Sequence, residues 1–150
     1  MAASKEPNRR AFYLCTGIYL PFSALIGAGT GLLLALLFYS AMIAADPTFT
    51  WQTWGFLYFT AAMGGLAGVL GGIIFSLLVF RRDTGWRGFF KAPLFSLGTL
   101  LVAAFMYAIM MNLYSPVFGI GYNTGLFFMY AFIPWLIVSM AVFLLRAWLR

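Results

Sequence analysis

The stretch that decides the fold runs from Ala61 to Phe80 and reads AAMGGLAGVLGGIIFSLLVF. It contains no charged residue, and its glycines recur at helical spacing, since Gly64, Gly68 and Gly72 are four positions apart. In water each such glycine costs a helix about 1 kcal/mol relative to alanine. In lipid a helix is required, because backbone N–H and C=O groups must pair within the segment. The stretch therefore predicts a transmembrane helix whose glycine face admits a second backbone.

The composition extends this interpretation to the whole chain. Hydrophobic residues make up 64% of it and charged residues 8%, against about 45–50% and 25% in soluble domains. The net charge is +6, but the nine basic residues lie in short clusters between apolar runs. That distribution is typical of charge that orients membrane helices, and it argues against a nucleic-acid partner, which would need a continuous basic face.

The apolar runs predict an all-α integral membrane protein of 150 residues. We expect a polar tail over residues 1–10 and one four-helix transmembrane domain over residues 11–150. The spans are predicted at about residues 18–45, 54–80, 93–114 and 124–146, forming two hairpins.

Prolines and turn residues suggest where these helices bend and end. We expect Pro21 to bend the first apolar run, which would leave residues 10–19 at the membrane interface. Pro93 is expected at the start of the third span, where a missing N–H costs little, and Pro134 is expected to kink the fourth. The first hairpin is expected to turn near Asp46, and the second hairpin at Ser115, Pro116, Gly119, Gly121 and Asn123.

The basic residues predict the orientation. With four spans, every Lys and Arg falls on one side of the membrane, which places both termini in the cytoplasm. The expected location is the cell inner membrane, with an organellar inner membrane as the alternative. Arg9-Arg10 resembles a twin-arginine export signal, but the apolar run that follows it is long and further spans follow, so we favour an orienting flank.

Two small-residue faces are the candidate packing sites. On the first span Gly27 and Gly31 lie four positions apart. On the second span the four-residue spacing of the glycines continues from Gly72 to Ser76. We expect the two faces to pack as a hairpin of the glycine-zipper kind, with a helix of another subunit as the alternative partner. The predicted packing residues are Gly27, Gly31, Gly64, Gly68, Gly72 and Ser76.

The residues that carry most chemistry are missing or sparse. There is no histidine and a single cysteine, Cys15, which disfavours haem, excludes an intrachain disulfide and removes the commonest metal ligand. Up to Arg146, at the end of the fourth, the predicted spans contain no Asp, Glu, Lys, Arg or His. Transport and catalysis in a bilayer usually require an ionisable residue deep in the membrane. We expect no catalytic, metal or cofactor-binding residue, and buried hydroxyls are expected to bond to their own backbone.

Other features leave alternatives open. The basic loop between the second and third spans contains Arg81, Arg82, Trp86, Arg87 and Lys91. We interpret it first as an orienting signal, but it would also bind anionic headgroups or the acidic surface of a partner. Cys15 is expected near the interface, where palmitoylation is chemically feasible. The aromatic residues, 20% of the chain, would fill helix contacts or line a surface for lipid, quinone or pigment.

These observations favour a non-catalytic accessory or assembly subunit of a larger membrane complex, acting through helix packing. Its partners would be membrane lipids and other membrane protein subunits, or further copies of itself. The alternative is a small oligomeric carrier or channel for an uncharged or lipid-like substrate, because four spans alone seldom enclose a transport pathway.

Overall fold

The structure is a computed structural model that describes residues 6–43, 51–80, 86–114 and 119–149. Helix α1 covers Glu6–Ile43, α2 Trp51–Phe75, α3 Trp86–Tyr114 and α4 Ile120–Trp148. A π-helical segment, Ser76–Phe80, continues directly from α2 and is called the π-turn below. All four helices are long and apolar enough to cross a membrane. The predicted all-helical fold with four such helices is confirmed.

The helices form a ring in which α1 packs on α2, α2 on α3, α3 on α4, and α4 closes on α1. Neighbours run antiparallel. Ser23 of α1 lies opposite Gly68 of α2, while Gly31, two turns further along α1, lies opposite Thr60, two turns back along α2. Tyr19 of α1 in turn bonds to Ser139 of α4. The start of α1 and the end of α4 therefore lie at the same end of the bundle.

That end also receives the π-turn and the start of α3. We call it the basic end, because it carries Arg9, Arg10, Lys91 and Arg146. The candidate spans contain between 24 and 29 residues, or about 36–43 Å at a rise of 1.5 Å per residue. Each helix therefore exceeds a hydrocarbon core of about 30 Å, which leaves room for the basic end to lie at headgroup level.

Residues 10–19 were predicted as a segment set apart from the first span, whereas the structure makes them part of one continuous helix of the bundle. Helix α1 continues through Pro21, and Cys15 and Tyr19 are 0% and 1% exposed inside the bundle. Pro21 and Gly17 both lie on the exposed face of the helix. The buried face can therefore continue past the proline, because the ring and the carbonyl that loses its bond point away from the helix contacts.

Two further predictions about helix starts are wrong. Pro93 lies inside α3, which begins at Trp86, rather than at its start. Gly121 and Asn123 belong to α4 and not to a turn: the backbone N–H groups of Tyr122 and Asn123 donate to the Gly119 carbonyl at 3.0 and 3.2 Å, so the helix is already under way. The expected first turn at Asp46, and Ser115 and Pro116 of the second, fall outside the described residues.

Pro134 lies within α4 as expected and is exposed on the outer face of that helix.

Large apolar side chains cover the outward faces of all four helices. The interior holds two clusters. One is centred on Leu100, Tyr107, Phe127 and Trp135, and the other, nearer the basic end, includes Cys15, Tyr19, Phe75, Phe80 and Phe143.

Candidate functional site

The contact between α1 and α2 is a backbone-to-backbone seam. A Cβ atom added to Gly27 would overlap the carbonyl oxygen of Gly64, and one added to Gly64 would overlap the carbonyl oxygen of Gly27. The same holds for Gly31 against Thr60, and for Gly68 against Ser23. Only glycine lets the chains approach this closely, and the sequence supplies it at each of these positions.

The structure thus brings Gly27, Gly31, Gly64 and Gly68 together between helices of the same chain. Gly72 lies at the edge of the seam. A Cβ atom added there would overlap the Ser23 hydroxyl and would lie 3.1 Å from the Leu20 side chain. Ser76 lies beyond the seam. It begins the π-turn, is buried, and lies among residues that pack against α1, α3 and α4.

A second feature, missed by sequence reasoning, is a layer of buried polar side chains between the seam and the basic end. We call it the polar layer and define it as Tyr19, Ser76, Ser96, Trp135 and Ser139. Each helix of the ring contributes, with Ser76 coming from the π-turn that continues α2, and all five residues are at least 98% buried.

The spacing of α1 carried a signal for Tyr19, the member of this layer that lies on that helix. The buried face of that helix reads Cys15, Tyr19, Ser23, Gly27 and Gly31, every fourth residue without a break. Such a spacing marks one face of a helix. The expectation of a bend at Pro21 hid the fact that the face on which the glycines lie extends back to Cys15.

Within the layer, one chain of hydrogen bonds is complete. The Ser139 hydroxyl donates to the Trp135 carbonyl at 2.7 Å, and it lies 2.8 Å from the Tyr19 hydroxyl. Because the serine has a single proton, already given to the carbonyl, Tyr19 is the donor to Ser139. This chain joins α1 to α4 across the bundle.

Many other hydroxyls follow the expected pattern and donate to carbonyls of their own helix. Ser23 donates to Leu20 at 2.9 Å, Thr30 to Ile26 at 2.8 Å, and Thr60 to Leu57 at 3.0 Å. Thr99 does the same to the Ser96 carbonyl at 3.0 Å. These side chains are satisfied locally and carry no sign of a ligand.

Three members of the polar layer behave differently. The hydroxyls of Ser76 and Ser96 and the indole Nε1 of Trp135 are buried and have no hydrogen-bond partner among the described protein atoms. The Thr16 hydroxyl, one turn of α1 toward the basic end from Tyr19, shares this property. Buried donors without partners are rare in folded proteins, and each calls for an explanation.

Arg146 closes the core at the basic end. Its side chain is 2% exposed, and its guanidinium carbon lies 6.0 Å from the centre of the Phe80 ring, within reach of a cation–π interaction. It is also close enough to interact electrostatically with the Cys15 thiol. The sequence placed this arginine at the membrane surface as an orienting charge, but it is a core residue that links α4 to α1 and the π-turn.

The predicted headgroup or partner contacts are only partly visible. Lys91 is exposed at the basic end, as are Arg9 and Arg10. Arg81 and Arg82 lie outside the described residues, and Trp86 and Arg87 are placed only as the first residues of α3. Cys15, considered for palmitoylation, is buried, so its thiol is closed to modification while the bundle is folded.

Across residues 6–43, 51–80, 86–114 and 119–149, no three His, Cys, Asp or Glu side chains form a group able to hold a metal ion. No protein-family model, curated protein or solved structure matches the chain.

Proposed function

We propose that this protein is a non-catalytic, multi-pass membrane subunit that acts by packing its outer helix faces against other membrane proteins. In this proposal the bundle is an accessory or assembly component of a larger complex in an inner membrane. Its basic end faces the cytoplasm, as the positive-inside rule favours.

The proposal depends on a contrast between two sets of glycines. Those of the seam are closed by the backbone of the same chain, so they are not free to bind another subunit. By contrast, Gly29, Gly98 and Gly125 lie on the exposed faces of α1, α3 and α4, and a Cβ added to any of them would meet nothing within 4 Å. In lipid, glycines at such positions favour close approach by a helix from outside.

The interior supports the same proposal. Tyr19 stacks on Phe75 with ring centres 4.9 Å apart, and Phe75 meets Phe80 at 5.5 Å. Tyr107 and Phe127 pair in the same way at 4.6 Å in the other cluster. An interior occupied by its own rings favours a protein that presents surfaces to partners over one that conducts a substrate through its centre.

The test is affinity purification from native membranes in a mild detergent, followed by mass spectrometry. We expect defined membrane proteins to co-purify with the wild-type chain. The variants Gly98→Leu and Gly125→Leu should lose them, because a leucine side chain on an open outer face blocks a neighbouring helix without disturbing the bundle. Leu101→Ile, on the same outward side of α3, is the matched control and should retain them.

A stable monomer without partners would contradict the proposal. A single discrete homo-oligomer that supports flux in liposomes would replace it with the oligomeric carrier or channel.

A further inference from the structure

We propose that the polar layer binds water inside the bundle, held by the Ser76 and Ser96 hydroxyls and the Trp135 indole N–H. This hydration site is independent of the proposed function.

The contacts place these groups in one stretch of the interior, about two helical turns long. Gly71 of α2, Ala103 of α3 and Trp135 of α4 meet, since a Cβ added to Gly71 would lie 2.9 Å from the Ala103 Cβ and from the edge of the Trp135 ring. From that meeting point toward the basic end, Ser76 is about 7.5 Å along its helix and Ser96 about 10.5 Å, at 1.5 Å per residue. The two hydroxyls therefore enter the interior within about one helical turn of each other.

Helix α1 reaches the same level. Its register against α2 pairs Ser23 with Gly68, so a step of four residues brings Tyr19 near Gly72, and a further step of three brings Thr16 near Phe75. The 4.9 Å stacking of Tyr19 on Phe75 agrees with this register. Through its bond to Ser139, Tyr19 also brings α4 into the layer.

The hydroxyls of Ser76 and Ser96 lack the local partners that other hydroxyls use. Thr99, one turn along α3, donates to the Ser96 carbonyl, whereas the hydroxyl of Ser96 itself has no protein partner within the described chain. Ser76 and Ser96 are fully enclosed, so bulk solvent cannot satisfy them. Their partner must be a small group held inside the bundle.

The π-turn supplies a second, independent observation. A π-helical segment shifts from i→i+4 to i→i+5 hydrogen bonds, which opens the regular ladder, and such segments are frequent at functional sites. This one begins at Ser76, the residue whose hydroxyl lacks a partner. Insertion of water into the backbone ladder is one recognised cause of helix distortion, so an altered ladder beside unsatisfied hydroxyls favours a guest at this place.

Water fits the chemistry of the layer better than an ion or a ring-shaped cofactor. The two hydroxyls both donate and accept, and the indole N–H only donates, so the guest must accept hydrogen bonds and can also donate to the hydroxyls, in a site without formal charge. A buried water typically makes two to four such bonds. The nearby rings of Tyr19, Phe75 and Phe80 already contact one another, which disfavours a flat organic guest stacked between them.

The test uses the full chain, isotopically labelled, in lipid nanodiscs. NMR magnetisation transfer from water to indole protons should give a cross-peak at Trp135, assigned by its disappearance in Trp135→Phe. The double variant Ser76→Ala/Ser96→Ala should lose the transfer. Ser23→Ala, whose hydroxyl is satisfied by its own helix, should keep it. Protection of the Cys15 thiol from maleimide shows that each variant is folded.

Absence of transfer to Trp135 in the folded wild-type protein would overturn the proposal. So would an unchanged cross-peak in the folded double variant. Recovery of a stoichiometric carbonyl-containing organic molecule by solvent extraction, lost in the double variant, would reassign the site from water to that molecule.

Discussion

At the scale of single residues, an added methyl group distinguishes two kinds of glycine in this bundle. At Gly64 the methyl would strike a carbonyl of α1, whereas at Gly29 it would enter open space. A backbone carbonyl cannot rotate away as a side chain can. A methyl group at Gly64 would therefore force the two helices apart along the seam.

We therefore predict that Gly64→Ala destabilises the folded protein by about 1–3 kcal/mol, the usual range for overpacking. Gly29→Ala, the matched control, should change the free energy of unfolding by no more than about 1 kcal/mol, in the stabilising direction, through helix propensity. Unfolding by sodium dodecyl sulfate in bicelles, followed by circular dichroism, measures both. Equal free energies of unfolding for the two variants would show that the backbones of α1 and α2 lie further apart at Gly64 than the contact with Gly27 requires.

Arg146 shows what a single sequence cannot reveal at this scale. Arginines at the ends of apolar runs are usually surface charges, and its position four residues before the end of the chain offered no contrary sign. Its burial follows from the neighbours that the fold brings to it, with the Phe80 ring 6.0 Å away. Phe80 is far from Arg146 in the sequence, so only tertiary structure pairs them.

At the scale of elements, α1 is the helix for which prediction and structure differ most. The presence of four helices follows from length and hydropathy alone, and the packing faces of α1 and α2 from four-residue spacing. Pro21 suggested a bend because the ring removes a hydrogen bond. It did not reveal that the proline faces outward, where the helix can continue and keep Cys15 and Tyr19 in the core.

The π-turn was not predictable from the sequence. The segment SLLVF has no proline or glycine to break the ladder, and its apolar residues suit an ordinary α-helix. Its geometry arises where three other helices converge on it. The polar layer escaped notice for the same reason, since serines of two helices separated by a loop cannot be assigned to one level without the register.

The continuity of α1 can be tested through the single cysteine. We predict that Cys15 resists N-ethylmaleimide in the folded protein, because it is 0% exposed between helices. A cysteine at position 13, introduced as Tyr13→Cys in a Cys15→Ala background, should react readily, since Tyr13 is 69% exposed near the basic end. Mass spectrometry of the labelled protein measures both rates.

Similar reactivity at the two positions would show that this part of the chain lies apart from the bundle, as a bend at Pro21 requires. Treatment with sodium dodecyl sulfate is the internal control. Unfolding should expose Cys15 and abolish its protection.

At the scale of the whole molecule, charge and packing agree on one arrangement. Antiparallel neighbours bring the start of α1, the π-turn, the start of α3 and the end of α4 together, and this is the end that carries the cations of the described chain. Exposed apolar side chains, many of them leucines and aromatic residues, cover the outward faces of the helices. Within the described residues, the bundle therefore suits a unit that crosses a bilayer and carries its cations at one end.

Reporter fusions test whether all four helices cross the membrane with the basic end in the cytoplasm. An alkaline phosphatase reporter, active only outside the cytoplasm, is inserted after residue 50 or residue 120, and a third copy is fused to the C-terminus. We predict activity at the two internal positions and none at the C-terminus. Activity at the C-terminus, or a silent reporter in stably expressed protein at either internal position, would contradict it.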